Sequence, residues 1–400
     1  MKILVINAGS SSLKYQLINM EDEKLLAKGN CDRIGIGGHI VQKADDGRVE
    51  EKDADFPTHM EAFEEVTRCL MTGKAAVISD VSEIAAIGHR VVQGAEKFSE
   101  SVRLDEAILS EIESLSELAP LHNPPAVVAI KACMKVFGSK VPQVAVFDTA
   151  FHQTLPKKAY MFAVPYEYYE KHHIRRYGFH GTSHRYVSKR VAKLMGRDVK
   201  DLKIVTCHLG NGSSITAVDG GKSVDTSMGF TPLDGLIMGT RCGGIDPSIV
   251  TYIAEKENKS PQEMSDLLNK ESGYLGISGL TSDDRDLRAA ADAGNERCAL
   301  AGQMQRYQIK KFIGAYAAAM GGLDAVVFTG GIGENSAPLR RDVCKDMQFL
   351  GIEIDEQKNL DLNGKEVNLS LPGAKVQVWI VPTDEELVIA RDTESIVSGM

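Results

Sequence analysis

The apolar run Ile3-Leu4-Val5-Ile6 leads into Asn7 and a Gly/Ser turn, Ala8 to Ser12. Beyond it Leu13, Tyr15 and Leu17 alternate with Lys14 and Gln16. Alternation with period two marks a strand with one buried face, so this stretch predicts a β-hairpin. Ile204 to Ala217 repeats the pattern: a strand ending near His208, a Gly/Ser turn from Gly210 to Ser214, and a second alternating strand. Such an echo predicts a duplicated fold whose halves face each other across a cleft. A third Gly-rich turn is predicted over Thr329 to Asn335, after the apolar strand Ala325 to Phe328.

The remaining pattern fills in an α/β chain. Strands are predicted at 24–28 and 39–43, and Met60, Phe63, Val66 and Leu70 have helical spacing. A short buried strand, 84–87, delivers Gly88 to Val92 at its end. A helix over 105–118 has Asp105 as its cap. Asn123 reads as the cap of the next helix, 126–137, with Pro124 or Pro125 in its first turn. A strand over 141–147 ends at Asp148-Thr149, where a domain boundary is placed. Beyond it come a helix near 184–195, the echo hairpin, and a Gly/Pro/Thr-rich stretch, 226–247, too long for a neutral connector. Helices fill most of 247–268 and 284–320. After a strand at 376–381, Thr383 or Asp384 caps a C-terminal helix with acids in its first turn. The expected domains are 1–149 and 150–384, with the helix 385–400 packing back on the first.

Composition narrows the class. Four hundred residues suit two domains. A net charge of -9 argues against a nucleic-acid partner, without excluding an anionic substrate held by local cations. No apolar run approaches the roughly 18 residues of a membrane span, and the N-terminal apolar stretch is too short for a secretory signal. Seven scattered cysteines without a C-x-x-C read as reduced thiols of a cytoplasmic protein.

Glycine turns with hydroxyls and a nearby cation suit a phosphate, though an ordinary surface hairpin has the same look. Arg90 and Arg241 read as loop arginines, either solvated or forked onto carboxylate or phosphoryl oxygens. Asp148 at a strand end lines a site or caps a turn. His180 and His184 have the i, i+4 spacing of a zinc pair but no H-E-x-x-H, and donation from His180 to an anion is the better reading. Asp283-Asp284-Arg285 is by itself a helix start. Neither a Walker A motif nor a G-x-G-x-x-G fingerprint is present.

Taken together, several stretches resemble the acetate kinase family. They are Asn7 to Lys14, His89 to Gly94, Phe147 to His152, Arg176 to His184, His208 to Ser214, Met238 to Arg241 and Phe328 to Asn335. The match runs through the whole chain in order. It implies a duplicated two-domain α/β fold of the actin, sugar kinase and heat-shock ATPase type with an interdomain cleft. A homodimer is the usual assembly. The implied reaction is reversible phosphoryl transfer from ATP to acetate with Mg²⁺ or Mn²⁺. By that resemblance Asn7 and Glu385 lie near the metal, and Ser10, Ser12 and Lys14 near the phosphates. Arg90, Asp148, His180, Asn211 and Arg241 form the reaction centre. His208, Leu209, Gly210, Asn211 and Gly212 hold ATP, with Asp283, Asp284, Arg285, Gly331, Ile332, Gly333, Glu334 and Asn335. Val92, Leu121, Phe179 and Pro232 wall the acetate methyl. Gly244 stands where the family pattern implies an acid. A propionate or butyrate kinase of the same family is the near alternative. A non-catalytic ATP-binding switch of actin or chaperone type is the distant one, and it has no use for Arg90, His180 and Arg241 beside Asp148.

Mechanistically, an in-line displacement through a metaphosphate-like transition state needs positioning and charge neutralisation. It needs no general base, because a carboxylic acid with a pKa of about 4 to 5 is already ionised at pH 7. Asp148 is therefore expected to organise the metal through water or to orient a neighbouring arginine.

Overall fold

The N-terminal hairpin forms as its alternation predicts. Strands β1 (Lys2–Ala8) and β2 (Ser12–Asn19) pair antiparallel, and Gly9 N–H closes the turn by donating to Ser12 O at 2.8 Å. The structure is a computed structural model that describes residues 1–120, 122–138, 140–360 and 365–399. Leu121, expected at the acetate wall, lies outside the described residues.

Two units emerge, Met1–Ala150 together with the segment from Asp384 onward, and Phe151–Thr383. In the first, β1 and β2 are joined by β3 (Lys24–Asp32), β4 (His39–Ala44), β5 (Val49–Asp53), β6 (Ile84–Val91), β7 (Val102–Arg103) and β8 (Gln143–Phe147). They form one sheet in the order β5-β4-β3-β2-β1-β6-β8-β7. The uninterrupted run Ile3 to Ile6 follows from burial on both faces. Leu4 and Ile6 share a core with Phe63 and Val66 of the helix His59–Met71 and with Ala129 and Cys133 of the helix Asn123–Phe137. Ile3 and Val5 pack with Ile389 and Ala390 of the C-terminal helix Glu385–Ser398. That helix lies so close to β6 that a methyl group on Gly88 would stand 2.5 Å from Thr393 Oγ1. The close approach requires glycine there, and it brings the start of the helix toward Arg90.

The second unit repeats the scheme. Its sheet contains β9 (Lys203–Leu209), β10 (Ser213–Asp219), β11 (Lys222–Thr226), β12 (Ala325–Thr329), β13 (Val367–Asn368) and β14 (Gln377–Ile380), in the order β11-β10-β9-β12-β14-β13. An antiparallel hairpin followed by two parallel neighbours, β2-β1-β6-β8, recurs as β10-β9-β12-β14. The echo read from the sequence is thus a repeat of sheet topology. Val187 and Val191 of the helix Gly181–Leu194 cover one face, and Ile309 and Ile313 of the helix Glu296–Met320 the other.

Three local expectations change, and one strand was not foreseen. Arg90 is not in a loop, because β6 continues through Val91 and pairs Arg90 with Val146 of β8. Asn123 is not the cap of its helix, a position taken by His122. Its buried side chain instead accepts Gln93 N–H and donates to Gln93 O, at 3.1 and 2.9 Å. The third Gly-rich turn is a short helix, Gly330–Asn335. The strand β5 gave no alternation in the sequence because only Glu50 of its five residues is buried.

Candidate active site

In the first unit the parallel strands β1, β6 and β8 end beside one another, and their last residues carry the chemistry. Arg90 Nε donates to Asp148 Oδ1 at 3.0 Å and Nη2 to Oδ2 at 2.7 Å. Asp148 is 1% exposed, so the pair is largely dry. Chiefly the Asp148 charge holds the Arg90 guanidinium well above its ordinary pKa. Glu385 opens the C-terminal helix with Oε2 3.9 Å from Arg90 Nε. Burial pushes its carboxyl up to about 7, Arg90 opposing and Asp148 and Glu386 adding to the rise. Asn7 and Lys14 border a cavity of about 290 Å³ on the open sheet face, with Gln16, Lys28 and Glu386. Ser10 is exposed and Ser12 half-buried at the hairpin turn.

In the second unit the echo turn carries a matching group of residues. His180 precedes the helix Gly181–Leu194 with φ 54 and ψ 26, a left-handed conformation uncommon outside glycine. Such strain is retained where surrounding structure enforces it. A methyl group on Gly212 would stand 3.3 Å from His180 Nε2 and 3.8 Å from Arg241 Nη1. The glycine therefore lets an imidazole and a guanidinium approach one turn. Arg241 donates from Nη1 to Pro232 O at 3.3 Å, and no carboxylate pairs with it among the described residues. Burial lowers its pKa, the sign of a cation short of counter-charge.

His208 stacks on His180 with centroids 4.3 Å apart, and its Nδ1 lies 2.8 Å from Ser183 Oγ. His184 is no half of a zinc pair: Nδ1 lies 2.7 Å from Thr206 Oγ1 and Nε2 2.7 Å from Ser214 Oγ.

A cavity of about 540 Å³ opens alongside, lined by Gly210, Asn211, Asp283, Asp284, Arg285, Gly331, Ile332 and Asn335. Asp283 caps the helix Asp284–Asp292 and forks Arg285 at 3.2 and 2.9 Å, which holds its carboxyl down near 2. Asp284 pairs with Arg288 Nε at 2.9 Å.

The structure places five expected nucleotide residues off this cavity: His208 and Gly212, which lie at the His180 turn, and Leu209, Gly333 and Glu334. Leu209 is fully buried in the core, Gly333 is buried, and Glu334 turns back to accept Gly330 N–H at 2.8 Å and Thr383 N–H at 3.3 Å. Phe179 is 2% exposed, so its ring packs inside the unit. Val92 and Pro232 are half-buried. Gly244 has a local reason: a side chain there would start 3.3 Å from Asp234 Oδ1, where an acid would meet a like charge.

Sequence reasoning missed Tyr274, Ser282, Arg288 and Ser336 on the cavity wall. Ser282, beside the Asp283 cap, and Ser336, beside Asn335, had a neighbouring signal. It also missed the hydroxyls of Ser183 and Ser214 on the histidines, which alternation hides inside a hairpin and a helix.

A repeated strand-turn-strand unit, with an uncompensated guanidinium and an imidazole meeting at one turn, is the equipment of a kinase. The chain belongs to the acetokinase family, whose model matches residues 2–391. It is 56% identical over 398 residues to the acetate kinase of Methanosarcina thermophila, covering 99% of this chain and 97% of that protein. Porphyromonas gingivalis acetate kinase superposes with a TM-score of 0.95 at 46% identity, covering 99% of each chain. A propionate kinase from Francisella tularensis subsp. tularensis gives 0.91 at 42%, again covering 99% of each.

Proposed function

We propose that this protein transfers the γ-phosphoryl group of ATP to acetate, reversibly, giving acetyl phosphate and ADP. An acetate oxygen forms the new P–O bond as the bond to the β,γ-bridging oxygen breaks, and ADP leaves with that electron pair. The observation that carries this reading is the meeting of His180 and Arg241 at Gly212, a donor and a cation with no carboxylate among the described residues to satisfy Arg241. Fixed donors of this kind neutralise charge on equatorial phosphoryl oxygens. Asn211, exposed at the same turn, adds an amide.

Arg90 holds the acetate carboxylate. Two of its five N–H groups are taken by Asp148, which fixes the plane in which the others point. Asp148 thus orients a guanidinium and does not abstract a proton. Val92 and Pro232 limit the size of the acceptor. The nucleotide occupies the cavity of Asp283, Arg285, Gly331, Ile332 and Asn335; the hydroxyls of Ser10 and Ser12 and the Lys14 cation suit a phosphate.

Asn7 and Glu385 suit a hard divalent cation such as Mg²⁺ or Mn²⁺: their donors are oxygens, and burial raises the Glu385 carboxyl even with Arg90 Nε 3.9 Å away. A bound cation would supply charge neutralisation at the phosphates. No helix among the described residues is long and apolar enough to cross a membrane, and all seven cysteines are free thiols, in keeping with a cytoplasmic setting. Family resemblance supports a homodimer, which light scattering tests.

The deciding experiment is ADP release with and without acetate, with hydroxylamine trapping. Acetate-dependent ADP and acetohydroxamate are expected; ADP release indifferent to acetate sinks the reading. The likeness to a propionate kinase favours one second reading, a propionate preference, which a panel of C2 to C4 acids resolves.

A further inference from the structure

We propose that Gln305 and Gln308, on the helix Glu296–Met320, clamp the main chain of Ile237 and so set where Arg241 stands. Both are then positioning residues for phosphoryl transfer. The functional half of this inference rests on the role proposed above for Arg241.

The two glutamines are three positions apart, so they share one face of their helix. Gln308 Oε1 accepts Ile237 N–H at 2.7 Å, and Gln305 Nε2 donates to Ile237 O at 2.9 Å. A main-chain N–H can only give and a main-chain carbonyl can only accept, so each amide has one possible orientation. The Gln305 oxygen is thereby turned to Tyr274, whose hydroxyl donates to it. Gln305, Tyr274 and Ile237 are all buried. Buried peptide groups need partners. Ile237 lies outside any helix or strand, and it takes both of its partners from side chains.

Ile237 opens the loop that carries Arg241. Met238 N–H donates to Arg241 O at 3.1 Å, and Arg241 Nη1 lies 3.9 Å from Met238 Sδ and 3.3 Å from Pro232 O. The far side of the loop is tied to the short helix Gly273–Ser278 and its cap. Ser272 N–H donates to Thr240 O at 3.0 Å, Tyr274 N–H to Met238 O at 2.9 Å, and Leu275 N–H to Gly239 O at 3.0 Å. These are N–H groups that a helix start leaves without a partner inside the helix. Gly273, with φ 62, permits the approach: a methyl group on it would stand 2.2 Å from Met238 O.

The loop is thus held by main-chain bonds on one side and by the two glutamines on the other. Tyr274 also lines the 540 Å³ cavity, so the clamp joins the wall of that cavity to the Arg241 loop. Misplacing a catalytic group by about 1 Å costs up to about 10²-fold in rate.

The test uses the full-length protein and the polarity of the clamp. Gln308→Glu keeps an acceptor for Ile237 N–H, whereas Gln308→Lys offers only donors at the same half-buried position. Gln308→Lys should lower kcat about tenfold, with the KM values for ATP and acetate within about twofold. Gln308→Glu should keep kcat within about twofold of wild type. Gln305→Met should cost at least as much as Gln308→Lys; if it fails to fold, the Gln308 pair decides alone. Adding Gln308→Lys to Arg241→Ala should cost nothing further. In ¹⁵N spectra of arginine Nε–H groups, the Arg241 signal, assigned by its loss in Arg241→Lys, should move in Gln308→Lys and stay in Gln308→Glu. Equal kcat in the two Gln308 variants overturns the proposal, as does an Arg241 signal unmoved in Gln308→Lys. If the wild type lacks acetate-dependent transfer, the function proposed above fails, and the Arg241 signal still decides the clamp.

Discussion

Arg90 and Asp148 meet as two parallel forks, Nε to Oδ1 at 3.0 Å and Nη2 to Oδ2 at 2.7 Å, between neighbouring strands. The pairing decides the role of Asp148. A carboxylate with both oxygens engaged by a permanent cation is an anchor and a poor proton acceptor.

Asp148→Asn should therefore act through Arg90. An amide offers one oxygen and one NH₂, and the NH₂ meets guanidinium N–H groups. We expect a raised KM for acetate and a fall of about 10²- to 10³-fold in kcat/KM. Arg90→Met should also destabilise the fold by about 3 kcal/mol, because it strands a buried carboxylate. An unchanged acetate KM with a displaced acidic limb of the pH–rate profile would restore an acid–base role.

Val92→Ala should enlarge the acceptor wall. A methylene is worth about 1 to 3 kcal/mol of discrimination in an apolar pocket, so the propionate-to-acetate ratio of kcat/KM should rise roughly tenfold. An unaltered ratio would remove Val92 from the wall.

Arg340 is fully buried, and no carboxylate pairs with it among the described residues. Nη1 donates to Gly333 O at 2.7 Å and Glu334 O at 3.0 Å, and Nε to Asn359 Oδ1 at 2.8 Å. Burial pushes its pKa down to about 10. It ties down the short helix whose Gly331, Ile332 and Asn335 line the 540 Å³ cavity. Lysine keeps the charge but cannot reach both sets of acceptors. Arg340→Lys should raise the KM for ATP about tenfold, the worth of one net hydrogen bond, and leave the acetate KM alone. Equal changes in both KM values would point to general loosening.

His89 is 2% exposed and lies 2.7 Å from Gln143 Oε1, an acceptor, so Nε2 carries its proton. Burial lowers its pKa to about 4, the hydrogen bond opposing. The unfolded chain, with an ordinary pKa near 6.5, binds the proton more tightly. The stability this residue provides is complete above about pH 6.5 and declines as pH falls toward 4, by an upper limit of about 3 kcal/mol. Urea midpoints at pH 7 and pH 5 should converge for His89→Gln relative to wild type. A parallel pH dependence in both proteins would refute this assignment.

Much of this was legible in the residues. Alternation fixed both hairpins, because a strand's faces are written in its odd and even positions. The spacing of Met60, Phe63, Val66 and Leu70 marked the helix His59–Met71. The glycines at 9, 210 and 212 marked the turns.

What the chain could not say was which polar side chains meet. Arg90 and Asp148 lie 58 positions apart, and their fork exists because β6 and β8 are parallel neighbours. Asn123, with every mark of a helix cap, was taken by the backbone of Gln93. Glu334, in a glycine-rich run that looks made for phosphate, folds back onto its own helix start. Local pattern depends on the period of the backbone, a property of neighbours in sequence. Pairing depends on sheet register and on desolvation, where a buried polar atom takes whichever partner the packing brings within about 3 Å.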